Sequence, residues 1–418
     1  MSEGTFRSLR NPSYRTWAAG SLVSNIGTWV QRTAQDWLVL TQLTQHNATS
    51  LGVVMALQFG PHIVLLPFTG SAADRFDRRR ILIVTQSAMF VLALTLGLLT
   101  LFGAVALWHV YAFALLLGCV TAFDGPASQT FVSELVGDRD LSNAVGLNST
   151  SFNIARMVGP AIAGVLLASV GTGWAFMINA LSYLAVLGAL WRLRVHARHA
   201  TARVAAQGQG FVDGLRYVAS RPDLRAILVM LFLIGTFGLN FTIFISTMAV
   251  SVFHAGASRY GLLMSIMAIG TITGSLLAAR RQQPRIEILL SSAAVFGVGC
   301  TLAALMPTYW LFGAALMLIG VSALTFANST NSLLQLGTEP AMRGRVMAMR
   351  LAIALGGTPI GAPIVGRVAD TLGPRWALGV GAASGFAAAG VLLHYLARHR
   401  HLRVHVVSGR LRIQVDPA

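Results

Sequence analysis

Lysine is absent, and all 31 basic residues of this 418-residue chain are arginines. Acids are scarce as well, 14 in all, so charged residues reach only 11% where a soluble domain carries about 25%. That deficit excludes an ordinary water-facing globule. The chain has two cysteines, Cys119 and Cys300, each inside an apolar run. Neither spacing suits a disulfide framework or a zinc site, and both are expected in the core. A phosphate-binding glycine loop, a dinucleotide glycine pattern and a nucleophile–base constellation are all missing, which argues against ATP driving, against a cofactor and against an enzyme. No small-residue cleavage site follows the first apolar run, so that run reads as a retained span.

What is present is apolar: 55% of residues are hydrophobic and mean hydropathy is +0.66. A spanning helix needs about 20 apolar residues, and backbone groups in lipid can be satisfied only within helices or closed barrels. The apolar runs fall at 16–42, 51–72, 81–103, 108–131, 142–170 and 174–194, then at 222–251, 259–280, 287–306, 309–333, 345–371 and 376–396. The expected fold is therefore an all-α polytopic membrane protein with twelve transmembrane helices in two pseudo-symmetric six-helix bundles. The expected domains are 1–194, a polar linker 195–221, a second bundle 222–396 and a basic tail 397–418.

The arginines set the orientation. With the N-terminus inside, 25 of the 31 fall in inner segments and only Arg259 and Arg375 outside, which places both termini in the cytoplasm by the positive-inside rule. Because they punctuate hydrophobic segments at intervals, they read as topology and not as a nucleic-acid stripe. The tail arginines are expected to lie against anionic lipid. Within the tail, Leu402–Val407 and Arg410–Val415 alternate around Ser408-Gly409 as a small hairpin would. The tail histidines show no metal-ligand geometry.

The two halves repeat. Gly171-Thr-Gly-Trp174-Ala175 matches Gly373-Pro-Arg-Trp376-Ala377, Gly159-Pro160 falls opposite Thr358-Pro359, and Gly52-Val-Val-Met55 matches Gly261-Leu-Leu-Met264. These pairs recur in one order at about half the chain length. Duplicated bundles are a transporter architecture, with the substrate near the midplane and the halves rocking around it.

Gly70, Asp74, Arg75, Arg78 and Arg79, in a charged turn between the second and third spans, resemble the loop pattern G-x-x-x-D-R-x-G-R-[KR] of the major facilitator superfamily. Asp77 stands where that pattern has its second glycine, and is expected to cap the third span. Gly159, Pro160 and Gly164 in the fifth span are similar to the Gly-Pro motif of exporters in that superfamily. Ala122-Phe-Asp-Gly-Pro-Ala127, Phe152-Asn153-Ile-Ala-Arg156 and Gly344-Arg345-Val-Met347 resemble its bacterial branch of transmembrane secretion effectors, related to siderophore and macrolide exporters. The resemblance implies a secondary active exporter of a small amphipathic molecule, working as a monomer in the bacterial cytoplasmic membrane with protons as coupling ion. It also implies that the charged turn is a conformational latch, with Asp74 reaching the N-terminus of the eleventh span near Gly344-Arg345. Drug exporters of this kind often carry an arginine in span four, which this chain lacks.

An ionisable residue inside a span costs about 2.5–3.5 kcal/mol on insertion scales and must face a cavity or a partner. Arg32 and Asp36 lie four apart, hence on one helix face, either as a mutual pair or as a coupling site. Asp124, two residues before Pro126, is expected to meet Arg156 from the neighbouring fifth span, as a static bridge or one that a proton or substrate breaks. Among uncharged groups, Asn25, Gln31, Gln58, His62, Asn153, Asn240, Asn328 and Asn331 are candidates for the substrate path, helix-to-helix glue being the alternative. Asp370 reads as an outer helix-end charge. The rival functions are proton-coupled uptake, lipid handling, and a non-transporting membrane sensor.

Overall fold

The computed structural model describes residues 6–193, 210–279, 285–399, 402–407 and 410–415; at some of these, Gly70, Asp74 and Arg75 among them, only the backbone course is described. Six long helices open the chain: α1 (Pro12–Leu38), α2 (Ala48–Arg75), α3 (Arg78–Leu101), α4 (Leu107–Leu135), α5 (Asp138–Ser169) and α6 (Gly171–Arg192). A short helix, α7 (Gly210–Ser220), follows. The seventh span is broken into α8 (Pro222–Leu233) and α9 (Phe241–Thr247). The chain continues with α10 (Ala257–Ala279), α11 (Ile286–Leu305), α12 (Tyr309–Gly337), α13 (Arg343–Leu372) and α14 (Pro374–His399). A two-stranded antiparallel ribbon, β1 (Leu402–Val407) and β2 (Arg410–Val415), pairs Leu402 with Val415 through Val407 with Arg410, as the alternation anticipates.

Among the described residues eleven segments are long and apolar enough to cross a membrane, with Pro222–Val252 acting as one. Helix α1 is the twelfth by length, at 27 residues. It is less apolar because Gln31, Arg32, Gln35 and Asp36 fall in its second half. The helix ends follow local chemistry. Asn11 caps α1 through Ser13 N (2.9 Å) and Tyr14 N (3.3 Å), with Pro12 in the first turn, where its missing N–H costs nothing. Asp77 caps α3, its Oδ1 accepting from Arg79 N at 2.8 Å and Arg80 N at 3.3 Å. This is the capping role expected of it.

The chain divides into two compact units, Met1–Val204 with Ile245–Ser265, and Ala205–Phe244 with Ile266–Ala418. The first takes in the opening turns of α10 because the Gly-Pro segment of α5 leaves room for them. A Cβ on Gly261 would stand 2.3 Å from the Pro160 carbonyl oxygen, and one on Gly164 would stand 3.1 Å from the backbone of Ser258. Ser258 Oγ then donates to Gly164 O (3.1 Å) and Ser265 Oγ to Met157 O (2.9 Å). The exporter-like motif is thus a seam of backbone approach.

At the end of the first unit where the chain begins, Trp17 packs edge-on against Phe131 at 5.1 Å. Tyr14 Oη donates to Ala144 O at 2.8 Å. Here the charged turn is tied down. Arg78 pairs with Glu134 of α4, and Arg79 Nε donates to Leu190 O of α6 at 2.9 Å. Two of the arginines read as latch residues therefore fasten α3 to α4 and α6 within one unit. The side chains of Gly70, Asp74 and Arg75 lie outside the described residues. Arg345, expected near Asp74, meets Asp213 of α7 at 3.7 Å.

A duplicated irregularity supports the internal repeat. After α1 a π-helical turn, Val39–Leu43, ends with His46 N donating to Leu40 O, and His46 has φ +61°. After α9 a π-helical turn, Met248–Val252, ends with Ala255 N donating to Ala249 O, and His254 has φ +48°. The two long-reach hydrogen bonds are offset by 209 residues.

In the second unit, glycine again sets helix spacing: a Cβ on Gly361 of α13 would lie 1.6 Å from Thr236 O. Replacing Gly361 by alanine should cost about 1–3 kcal/mol through forced separation, read as a lower melting temperature of the purified protein. Gly188→Ala, at an open position on α6, should leave it unchanged. Equal melting of both variants would count against this packing.

Candidate functional site

The first unit contains a cavity of about 690 Å³ in the half at which the chain begins. Its wall comes from α1 (Ser21, Asn25), α3 (Gln86), α4 (Asp124, Gln129) and α5 (Asn148, Phe152, Asn153), among others. Apart from Asp124, the lining is uncharged among the described residues. Pro126 in α4 has no N–H, so the Ala122 carbonyl, one turn before it and two residues before Asp124, loses its helical donor.

Asp124 is held from α3. Thr85 Oγ1 donates to its Oδ1 at 2.6 Å and Gln86 Nε2 donates to the same oxygen at 3.0 Å. The expected bridge to Arg156 is not formed. Its place is taken by two neutral donors on the third span, whose side chains meet Asp124 only after α3 packs on α4. Thr85 and Gln86 were not among the residues singled out from sequence, although a Thr-Gln pair inside the run Ile81–Phe90 was a readable signal.

Toward the other end of α1 lies a second polar group. Asp36 is 8% exposed and accepts from Tyr260 Oη of α10 at 3.4 Å. Trp37 stacks on the same tyrosine, with ring centroids 5.9 Å apart and planes at 24°. Arg32 makes no ion pair with Asp36. Its guanidinium sits over the rings of Trp29 (5.2 Å) and Phe59 (5.7 Å), and its Nε is buried without a hydrogen-bond partner. Cation–π attraction of this kind is worth about 0.5–2 kcal/mol, more when desolvated. The shared helix face indicated proximity of Arg32 and Asp36; Tyr260, more than two hundred positions away, carries no local signal.

The remaining candidates separate into cavity and glue. Asn25 and Asn153 line the cavity, and Asn153 Nδ2 also donates to Ser149 O at 2.8 Å. Gln31 is buried and accepts from Asn179 of α6, whose Oδ1 takes a bond from Ser182 Oγ at 2.9 Å. Gln58 is buried where α2 crosses α4, its backbone carbonyl lying against Gly118. His62 lies 3.5 Å from Thr121 Oγ1 and tilts against Phe59. Asn240 is buried in the second unit and donates to Thr236 O at 2.7 Å. Asn328 and Asn331 are half-buried on α12. Gly159 of α5 lies against Trp29, and a Cβ there would come within 2.5 Å of that side chain.

A family profile described as transmembrane secretion effector matches residues 3–408. The staphyloferrin A transporter of Staphylococcus aureus is 26% identical over 85% of this chain and 89% of its own length. The multidrug efflux pump Tap of Mycolicibacterium fortuitum is 27% identical over 84% and 88%. In fold, a bacterial homologue of the human lysosomal transporter Spinster superposes over 95% of this chain and 96% of its own with a TM-score of 0.69 at 16% identity.

The Tyr260–Asp36 bond joins α1 to the first turns of α10. Tyr260→Phe removes the only donor to that carboxylate among the described residues and should cost about 1–3 kcal/mol, the range for stranding a buried acceptor. A thermal-melt shift in detergent measures this, and an unchanged transition would show the bond carries no stability.

Proposed function

Because this chain belongs to the transmembrane secretion effector family of major facilitator transporters, we propose that it exports a small amphipathic molecule by alternating access in exchange for protons. It is a multi-pass membrane transporter and not an enzyme. The observation that carries the reading is the cavity in the first unit, polar and, among the described residues, nearly uncharged, with one carboxylate, Asp124, in its wall. A dissolved amphiphile needs both apolar wall and convergent polar groups, and this lining supplies both, with Phe152 and Val145 beside Asn25, Gln129 and Asn148.

Proton exchange rests on the two carboxylates inside spans. Each is held by neutral hydroxyl or amide donors and not by a cation, so each can exist with or without its proton without breaking an ion pair. Asp124 faces the cavity, while Asp36 is closed over by Tyr260 and Trp37. Protonation at one and release at the other would couple the gradient to substrate movement. The arginine distribution supports cytoplasmic termini, and with them a cavity entered from the cytoplasm, as export requires. The export-like Gly-Pro seam on α5 favours this direction over uptake.

Cells expressing the protein should retain less of at least one compound from a panel of dyes, macrolides and siderophores. Collapsing the pH gradient and membrane potential with a protonophore should restore retention to that of cells without the protein; persistence of export under full collapse would sink proton coupling. Asp36→Asn and Asp124→Asn, inserted at normal levels, should each slow export by about tenfold or more, equivalent to about 1.4 kcal/mol of barrier. Full activity in both single variants would remove the carboxylates from the mechanism.

A further inference from the structure

Hydrogen-bonding groups in the cavity do not balance. Both donors that reach Asp124, Thr85 Oγ1 and Gln86 Nε2, bind the same oxygen, Oδ1. Oδ2 receives no hydrogen bond and no ion pair among the described residues, and it is not sealed from the cavity that Asp124 lines. Gln86 is 6% exposed, and its orientation is fixed, because a reversed amide would set its carbonyl against the carboxylate. Its own Oε1 is consequently left buried without a donor, beside the same cavity. A stranded buried acceptor costs about 1–3 kcal/mol, and a carboxylate taken out of water costs more unless it is matched by charge. Two acceptors on adjoining side chains are thus unfilled, and among the described residues no lysine, arginine or histidine lines the cavity to fill them.

We propose that Asp124 and Gln86 form a subsite for a protonated amine, and that the transported molecule is an organic cation or a base that carries one. One ammonium N–H donates to Asp124 Oδ2 and a second to Gln86 Oε1. The charge is matched by the carboxylate, with no arginine among the described lining residues to compete for it. Trp17 Nε1, a donor also buried without a partner on the same cavity wall, is complementary to a hydroxyl or carbonyl on the same ligand. Phe152 and Val145 take its apolar body. A carboxylate ligand would find one free donor and two repelling acceptors. The assignment rests on the export reading only in taking this cavity as the substrate's.

The test compares two probes that share a dansyl ring and a short alkyl chain, one ending in a primary amine and the other in a carboxylate. Binding is measured on the full-length protein in nanodiscs, with partition into empty nanodiscs subtracted. Wild type should bind the amine at least about tenfold more tightly than the carboxylate. Asp124→Asn should bring the two within about threefold, Gln86→Leu should weaken the amine alone by about fivefold, and Asp124→Glu should keep the preference. Equal binding of both probes by wild type, or an undiminished amine preference in a folded Asp124→Asn protein, overturns the assignment. The wild-type comparison stands even where a variant fails to fold. Because no gradient is applied, loss of proton coupling and loss of amine preference are separate results.

Discussion

A polar group inside the hydrocarbon layer has no bulk water to fall back on, and is stabilised where it finds a partner in protein or faces a cavity. That constraint explains where the helices touch. Asp124 draws α4 to α3 through Thr85 and Gln86, Gln31 draws α1 to α6 through Asn179, and Asp36 draws α1 to the start of α10 through Tyr260. The charged turn before α3 obeys the same rule at the membrane edge. Asp77 fills the open amides of α3, Arg79 fills an open carbonyl near the end of α6, and Arg78 neutralises Glu134. None of these contacts needs large stabilisation. Each removes the penalty of leaving its group alone.

Such partners meet only if backbones come close, and glycine supplies that closeness. The α5 seam shows how a sequence motif becomes geometry. Gly164 and the Pro160 carbonyl accept Gly261 and Ser258 at distances that a side chain on Gly261 would forbid and one on Gly164 would crowd. Pro160 contributes twice, since it also lacks the N–H that would bind the carbonyl one turn earlier. The same logic holds in the second unit, where Gly357 and Gly361 bring α13 onto the π-helical turn Ile234–Gly238. The π turns place extra, irregular backbone at the ends of spans one and seven, and their shared offset marks them as one device copied with the duplicated unit.

The spans and their number were legible because hydropathy over twenty residues averages out every local detail; each expected run overlaps its helix with edges a few residues apart. Asp77 was legible because capping is a local interaction between an acid and the next two or three amides. Side-chain partners across helices were not, because nothing in the sequence states which faces of two helices will meet. Thus Asp124 went to Thr85 and Gln86 and not to Arg156, and only Asn25 and Asn153 of the eight polar candidates reached the cavity of the first unit. Helix α7 was hidden by its polar neighbours, although Phe211, Val212, Leu215 and Val218 already had helical spacing. It lies on α13, where Gly214 packs against Arg345 and Asp213 pairs with it.

The order of charges along α1 bears on how two carboxylates can have different tasks. The cavity touches α1 at Trp17, Ser21, Ser24 and Asn25, Arg32 follows two turns later, and Asp36 one turn beyond that. At about 1.5 Å per residue, Asn25 and Arg32 are about 10 Å apart along the axis and Arg32 and Asp36 about 6 Å. A cation bound at Asp124 as proposed would therefore meet a positive charge before it approached Asp36. Arg32, over Trp29 and Phe59 and without an ion pair to Asp36, directs its guanidinium into this low-dielectric stretch, where repulsion is several-fold stronger than in water. A proton can pass along hydroxyls and bound water where an ammonium with an apolar body cannot. On the proposed reading, the arrangement would separate a carboxylate that substrate reaches from one that only a proton reaches.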